Sequence, residues 1–146
     1  MSALFEHSPW VEQRADARPS TGNRHHDLME VVYDATRDEK IALIRAHPEL
    51  AGKAAIDGTL TQASAAEQAS AGLDRLTPEE FARFHALNAA YRERFDFPFI
   101  ICVRLTDKAG ILAAMQRRLT HDPETEIATA IAEIGKITLL RLKDEA

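Results

Sequence analysis

The sequence predicts an all-α fold, in which about seven helices form a compact single-domain bundle with one extended apolar connector. The first observation is composition, because 25 Ala and 14 Leu stand against only 4 Val. Ala and Leu favour helices, whereas β-branched residues lose side-chain freedom in them. The second is that apolar residues recur at helical spacing after recognisable helix starts. The third is the length, since 146 residues suit one domain with its own core.

Three short helices are predicted in the first third of the chain, at residues 8–14, 27–35 and 38–46. Pro9 suits the first position of a helix, where its missing N–H costs nothing. The polar stretch 17–23 contains Pro19 and Gly22, which predicts a surface loop between the first two helices. A fourth helix is predicted at residues 64–71, after a longer connection at 52–61.

Two later helices have the clearest N-terminal signals. Thr77, Pro78 and Glu80 combine a capping box with a proline at the first helical position. The apolar residues that follow at helical spacing are Phe81, Phe84, Leu87, Tyr91 and Phe95. Asp122 and Pro123 open the last helix in a similar way. Its apolar stripe consists of Ile127, Ile131, Ile134 and Ile137. A further helix is predicted at residues 107–119.

The segment 96–104 is apolar and extended in an otherwise helical chain. If it forms no sheet, its backbone N–H and C=O groups need other partners, and a ligand can be one of them. The alternative is a buried connector that passes through the core.

Charge and cysteine content exclude several classes of function. The net charge of −5 argues against nucleic acid as the main partner, since phosphate binding draws on surplus positive charge. The single Cys102 excludes an intrachain disulfide and fits a reducing compartment, for which the cytoplasm is the default. The longest apolar run, residues 99–103, is far shorter than the ~20 residues of a membrane span, so neither an anchor nor a signal peptide is expected.

Local motifs for cofactors are absent from the sequence. It contains no GxGxxG, P-loop, HExxH, CxxC pair or GxSxG, so dinucleotide, nucleoside triphosphate, zinc-protease and hydrolase functions have no local support. His25 and His26 are adjacent, but neighbouring residues diverge on a helix and nothing completes a metal site. We therefore expect a protein that works without a bound cofactor or metal.

Two polar groups allow a functional and a structural interpretation. His47 precedes Pro48, which ends a helix there, so the ring can project from the helix end. A partly cationic side chain at a helix C-terminus also simply stabilises the helix. Ser64 and Glu67 have the spacing of a capping box, which is a structural explanation. The same hydroxyl and carboxylate at a helix N-terminus, with Gln68, could instead bind a ligand rich in amide groups.

Five motifs together resemble a known family, the 2-oxo-4-hydroxy-4-carboxy-5-ureidoimidazoline (OHCU) decarboxylases of uric acid breakdown. They are FEHSPW at 5–10, RAHPELAGK at 45–53, SAAEQ at 64–68, LNAAYR at 87–92 and FPFI at 97–100. The resemblance implies a small all-helical, cofactor-free homodimeric enzyme that converts OHCU to (S)-allantoin and carbon dioxide. It also implies one domain over residues 1–146, shorter at the N-terminus than members with a further helix before FEHSPW.

The resemblance carries the family's functional residues onto matching positions. It implies that His47 and Glu67 are catalytic. It implies substrate contacts from Pro48, Ser64, Ala65, Ala66, Glu67, Gln68, Phe99, Ile100, Ile101, Cys102, Val103 and Arg141. Arg141 follows the apolar stripe of the last helix, where a charge needs a partner, although its stem could also pack while its head reaches solvent. Arg104 competes with it for the substrate carboxylate.

This chemistry agrees with the residues present. Decarboxylation leaves an electron pair that the adjacent ring C=N of OHCU can accept, so no cofactor is required as an electron sink. A histidine can move the necessary proton near neutral pH. The alternative is a helical interaction module that keeps this fold without turnover.

Overall fold

Helices form all the regular secondary structure in the part of the chain that the computed structural model describes, residues 5, 8–47, 50, 62–73 and 75–145. Within these residues there are seven α-helices: α1 (Trp10–Asp16), α2 (Arg24–Asp34), α3 (Arg37–Ala46), α4 (Gln62–Ser70), α5 (Pro78–Phe95), α6 (Lys108–Arg118) and α7 (Pro123–Glu145). A short 3-10 helix, Val103–Leu105, precedes α6. The predicted all-α class is therefore confirmed. The predicted connection at 52–61 lies outside the described residues.

Helix α7 organises the packing. It contacts α2 and α3, while α1 packs on α2, α5 on α6, and α4 against the 3-10 helix. Ile127, Ile131 and Ile134 are buried as predicted, and Ile137 is partly buried. The N-terminus of α7 is capped by Asp122, whose carboxylate accepts from the Thr125 N–H at 2.7 Å. The long helix thus packs its buried isoleucines while contacting both α2 and α3.

The predicted capping signals explain several helix starts. Thr77 and Glu80 form a reciprocal capping box at α5, and Thr36 and Glu39 form another at α3. Asp107 accepts from the Gly110 N–H at 2.8 Å and so caps α6. Each of these contacts satisfies a backbone N–H that the helix itself leaves without a partner.

Three predicted helix starts differ from the structure by two or three residues. Helix α1 begins at Trp10 rather than Ser8, with Pro9 at its N-cap position. Helix α2 begins at Arg24 rather than Asp27, because the Asn23 side chain caps it by accepting from the His26 N–H at 3.0 Å. Helix α4 begins no later than Gln62, so Ser64 lies inside it. A residue inside a helix cannot be its N-cap, and the capping-box interpretation of Ser64 and Glu67 is therefore excluded.

An aromatic cluster joins α5 to the extended segment. Tyr91 is fully buried, and its ring centroid lies 4.6 Å from that of Phe95 and 5.3 Å from that of Phe99. Phe84 is buried on the same helix, whereas Phe81 is 36% exposed. The contacts fix the segment that follows α5 against the core. No helix among the described residues has the length and apolar character needed to cross a membrane.

Candidate active site

One cleft brings together most of the predicted site residues. It contains about 460 Å³ of space between protein atoms, a volume that includes space open to solvent. Its walls come from the end of α3, from α4, from the extended segment and from the C-terminal half of α7. The residues that line it are His47, Leu50, Glu67, Gln68, Phe99, Ile100, Ile101, Cys102, Val103, Arg104, Ile137 and Arg141.

His47 lies at the C-terminal end of α3, where the helix stops. Its backbone is extended, with φ −75° and ψ 139°, which agrees with the restriction that a following proline imposes. Its N–H donates to the Ile44 carbonyl at 3.2 Å. The half-buried side chain lines the cleft. Pro48, also a predicted substrate contact, lies outside the described residues.

Glu67 and Arg141 form an ion pair across the cleft wall. Arg141 Nε donates to Glu67 Oε2 at 2.8 Å, and Nη2 donates to Oε1 at 2.7 Å. The side chains are only 12% and 8% exposed, respectively. Two parallel bonds between guanidinium and carboxylate are strong and directional. The pair therefore ties α4 to α7 and places both charges in the wall.

The segment 97–102 is extended and mostly buried, and it lies in no sheet. Charged side chains satisfy part of its backbone: Arg118 Nη1 donates to the Ile100 carbonyl at 2.6 Å, and Glu133 Oε1 accepts from the Cys102 N–H at 2.9 Å. The segment passes through the core, as the connector interpretation predicts, and it also lines the cleft. Contact between its backbone and a ligand stays a prediction.

Arg104 reaches the cleft from the 3-10 helix but is engaged elsewhere. Its Nη1 donates to Asp144 Oδ2 at 2.6 Å, and its side chain is 32% exposed. This hydrogen bond to Asp144 raises the pKa of Arg104, so the guanidinium stays cationic. Arg104 is therefore a more solvent-exposed cation than Arg141.

Some predicted site residues are not brought to the cleft. Ala65 and Ala66 are exposed on α4 and are not among the lining residues, because the turn of the helix directs Glu67 and Gln68 inward instead. The side chain of Ser64 lies outside what the structure describes.

Four residues at or behind the cleft were not predicted from the sequence. Leu50 and Ile137 line it, and both were visible in the sequence, in the HPEL motif and in the α7 stripe. Arg118 and Glu133 hold the extended segment from behind. The helical spacing of the last helix places Glu133 near its buried stripe. No sequence pattern around Arg118 or Glu133, however, indicates that either side chain contacts a distant backbone group.

Histidines elsewhere have structural partners. His25 Nε2 lies 2.8 Å from the Gly135 carbonyl, and His26 Nε2 lies 3.5 Å from Glu30. Within the described ranges no group of three or more His, Cys, Asp or Glu side chains has the arrangement of a metal site.

Cys102 lines the cleft but is poorly suited to act as a nucleophile. Burial raises the pKa of its thiol, and the nearby Glu133 carboxylate raises it further. A higher pKa leaves less thiolate at any given pH, and thiolate is the reactive form. We predict that iodoacetamide alkylates Cys102 of the folded protein far more slowly than a free cysteine at pH 8.

We also predict that Cys102→Ala keeps the parent activity, because the contact with Glu133 uses the backbone N–H of residue 102, which alanine retains. Two results would contradict this prediction: alkylation of Cys102 as fast as that of free cysteine, or a large loss of activity in Cys102→Ala. Either would show that the thiol is reactive or contributes to turnover.

Comparisons with known proteins point to a single family. The family model described as OHCU decarboxylase matches residues 1–143. A 2-oxo-4-hydroxy-4-carboxy-5-ureidoimidazoline decarboxylase from Haloferax volcanii is 42% identical over 144 residues, which are 97% of this chain and 83% of the relative. The Mus musculus protein of that name is 45% identical over 108 residues, 74% of this chain and 61% of the relative.

Solved structures have the same fold. A crystal structure of (S)-allantoin synthase matches with a TM-score of 0.73 and 29% identity, over 98% of this chain and 46% of that chain. A crystal structure of OHCU decarboxylase in the presence of (S)-allantoin matches with a TM-score of 0.75 and 22% identity, over 97% and 93% of the two chains.

Proposed function

The chain belongs to the OHCU decarboxylase family, and we propose that it converts 2-oxo-4-hydroxy-4-carboxy-5-ureidoimidazoline to (S)-allantoin and carbon dioxide in uric acid degradation. One observation carries the assignment of its active site. His47, Glu67, Arg141 and the extended segment come from four distant parts of the chain and line one cleft. A cleft with a proton-transfer group, a carboxylate, a guanidinium and apolar walls suits a small, polar, anionic substrate.

The reaction requires orientation and proton delivery more than an external electron sink. The bond between the ring carbon and the carboxylate breaks, and its electron pair passes to the adjacent C=N of the ring as carbon dioxide leaves. Protonation of the resulting intermediate then gives allantoin. Because spontaneous protonation favours neither face, the S configuration has to come from a proton donor held on one side.

The proposed roles follow from the positions of the side chains. His47, at the C-terminal end of α3, delivers the proton, since imidazole gives and takes protons near neutral pH. Glu67 orients the ureido N–H groups or the imidazole. Arg141 holds the substrate carboxylate before it leaves, and its guanidinium geometry suits a carboxylate. Gln68 and the apolar wall at 99–103 complete the surroundings of the substrate.

Turnover of freshly prepared OHCU tests this function against the alternative of an inactive interaction module. Circular dichroism follows the appearance of chiral allantoin, whereas spontaneous decay gives the racemate. We expect (S)-allantoin to form faster than spontaneous decay consumes OHCU. If the protein leaves both the rate and the optical signal unchanged, the enzyme assignment fails and the interaction module is favoured.

We further propose that the protein works as a homodimer in the cytoplasm, without a cofactor and with no nucleic-acid partner. The family resemblance supports the dimer and a cofactor-free reaction. The single cysteine supports the cytoplasm, and the net charge of −5 argues against a nucleic-acid partner. Sedimentation at micromolar concentration checks the dimer, since a mass of one chain would contradict it.

The choice between the two arginines gives a direct prediction. Arg141 lies in the buried wall beside Glu67, whereas Arg104 is partly exposed and paired with Asp144. A buried contact is less weakened by water than an exposed one. We expect Arg141→Lys, which keeps the charge but loses the planar fork, to weaken binding of a carboxylate-bearing substrate analogue by about tenfold.

Isothermal titration of both variants against one analogue makes the comparison. Arg104→Lys is the matched control and should bind almost as the parent does. A larger loss for Arg104→Lys would transfer the carboxylate-binding role to Arg104.

A further inference from the structure

A buried cluster of charged and polar groups lies behind the cleft. Arg118 is 2% exposed and Glu126 is fully buried. Arg118 Nε donates to Glu126 Oε1 at 2.8 Å, and the Tyr91 hydroxyl donates to the same oxygen. His121 Nδ1 lies 2.7 Å from the other carboxylate oxygen. Buried ion pairs add little to stability compared with apolar packing, so the cluster suggests a task besides holding the core together.

Arg118 also contacts the extended segment that lines the cleft. Nη1 donates to the Ile100 carbonyl at 2.6 Å, and the guanidinium carbon lies 4.3 Å from the ring centroid of Phe99. Phe99 and Ile100 both line the cleft, whereas Arg118 is not among its lining residues. Arg118 therefore acts on the wall of the cleft from the opposite side.

Glu133 holds the same wall two residues further along. Its Oε1 accepts from the Cys102 N–H at 2.9 Å, and its Oε2 is 2.6 Å from Lys136 Nζ. A cationic donor on one carbonyl and an anionic acceptor on one N–H thus fix the residues on either side of Ile101. A segment outside any sheet has no ladder of hydrogen bonds to keep it in place, and these two contacts take over that function.

We propose that Arg118 is a positioning residue for the decarboxylation: held by Glu126 and Tyr91, its guanidinium fixes the Ile100 carbonyl and thereby the backbone wall of the substrate cleft. The inference rests on the proposed function of that cleft. Arg118 touches no substrate in this account. It keeps the wall at the distance and angle that the substrate requires, and small misplacements of such walls are costly for catalysis.

The test removes the positioning contact without leaving a buried charge alone. Arg118→Met by itself strands Glu126, so the decisive variant is the double substitution Arg118→Met with Glu126→Gln, in which both charges disappear together. Arg118→Lys is the conservative variant, which keeps the charge but has no planar fork. Arg94→Lys is the matched control, because Arg94 is exposed and donates to the His121 carbonyl on the same side of the fold.

Two measurements are made on each variant: kcat and KM with OHCU, and amide hydrogen exchange followed by NMR. For the double variant we expect kcat/KM to fall about 10- to 100-fold. We expect exchange at residues 100–103 to accelerate while the amides of α2 and α3 keep their protection. Arg118→Lys should recover part of the activity, and Arg94→Lys should match the parent in both measurements.

Three results would overturn the proposal. One is a double variant with parental kcat/KM. Another is a loss of protection spread evenly over all helices, which would mean that Arg118 only stabilises the fold. If the double variant does not fold, Arg118→Lys decides. The third result is then a lower kcat/KM in Arg118→Lys with parental exchange at residues 100–103, because activity would be lost without any change in the wall. A parent protein without decarboxylase activity contradicts the proposed function, while the exchange measurement still decides whether Arg118 holds the wall.

Discussion

Replacing His47 with alanine is expected to lower the rate of stereospecific decarboxylation by about 10²–10⁴-fold, the usual range for a lost general acid or base. His47 follows the last residue of α3, and its side chain lines the cleft. The hydrogen bond that it makes to the end of the helix, to the Ile44 carbonyl, uses its backbone N–H. Alanine keeps that N–H. The melting temperature should therefore change little, and kcat should carry the whole effect.

His85→Ala is the matched control, since His85 is exposed on α5 and stacks on Phe81. It should retain the parent rate and optical selectivity. If His47→Ala stays within about threefold of the parent rate, far less than the loss of a general acid produces, the proton must come from another group.

The second large effect is expected for Glu67→Gln. The substitution removes the negative charge that Nε and Nη2 of the nearly buried Arg141 contact, and it replaces one of the two acceptor oxygens with an amide nitrogen, which donates and cannot accept. Removing one partner of a buried pair outright costs about 3–5 kcal/mol, and glutamine, which still accepts one hydrogen bond, should cost less. We expect kcat to fall at least about tenfold, together with a measurable drop in melting temperature.

Glu39→Gln separates the catalytic loss from the loss of an ion pair. Glu39 pairs with Arg14 at 2.5 Å on the surface, where Arg14 lowers the pKa of the Glu39 carboxyl to about 2. That variant should keep the parent kcat. If Glu67→Gln melts earlier but turns over at the parent rate well below its melting temperature, Glu67 has only a structural role.

Much of the fold could be predicted because its signals are local. The capping box at Thr77 and Glu80 depends on residues three positions apart, and the α7 stripe depends on helical spacing. Errors arose where two local signals competed. Asn23 is a good cap, yet the polar loop before it made Asp27 look like the start of α2, and Ser64 with Glu67 imitated a cap inside α4.

The site was less predictable from physical reasoning alone. Helical spacing placed Arg141 on the buried face of α7, but its partner Glu67 lies 74 residues away. The contact of Arg118 with Ile100 and that of Glu133 with Cys102 also join elements that are not neighbours in sequence. The family resemblance identified His47 and the segment 99–103 as candidates. The contacts of Arg118 and Glu133 that hold this segment could be identified only from the structure.

Titration of the ¹⁵N-labelled protein with (S)-allantoin, followed by amide NMR, tests most directly whether the cleft is the active site. We expect saturable shifts for the amides of Gln68 and of residues 100–103, which line the cleft with His47 and Arg141. A second groove, lined by Tyr33, Arg37 and Lys40 among others, lies elsewhere on the molecule. Saturable shifts confined to that groove, with the cleft amides unmoved, would contradict the account.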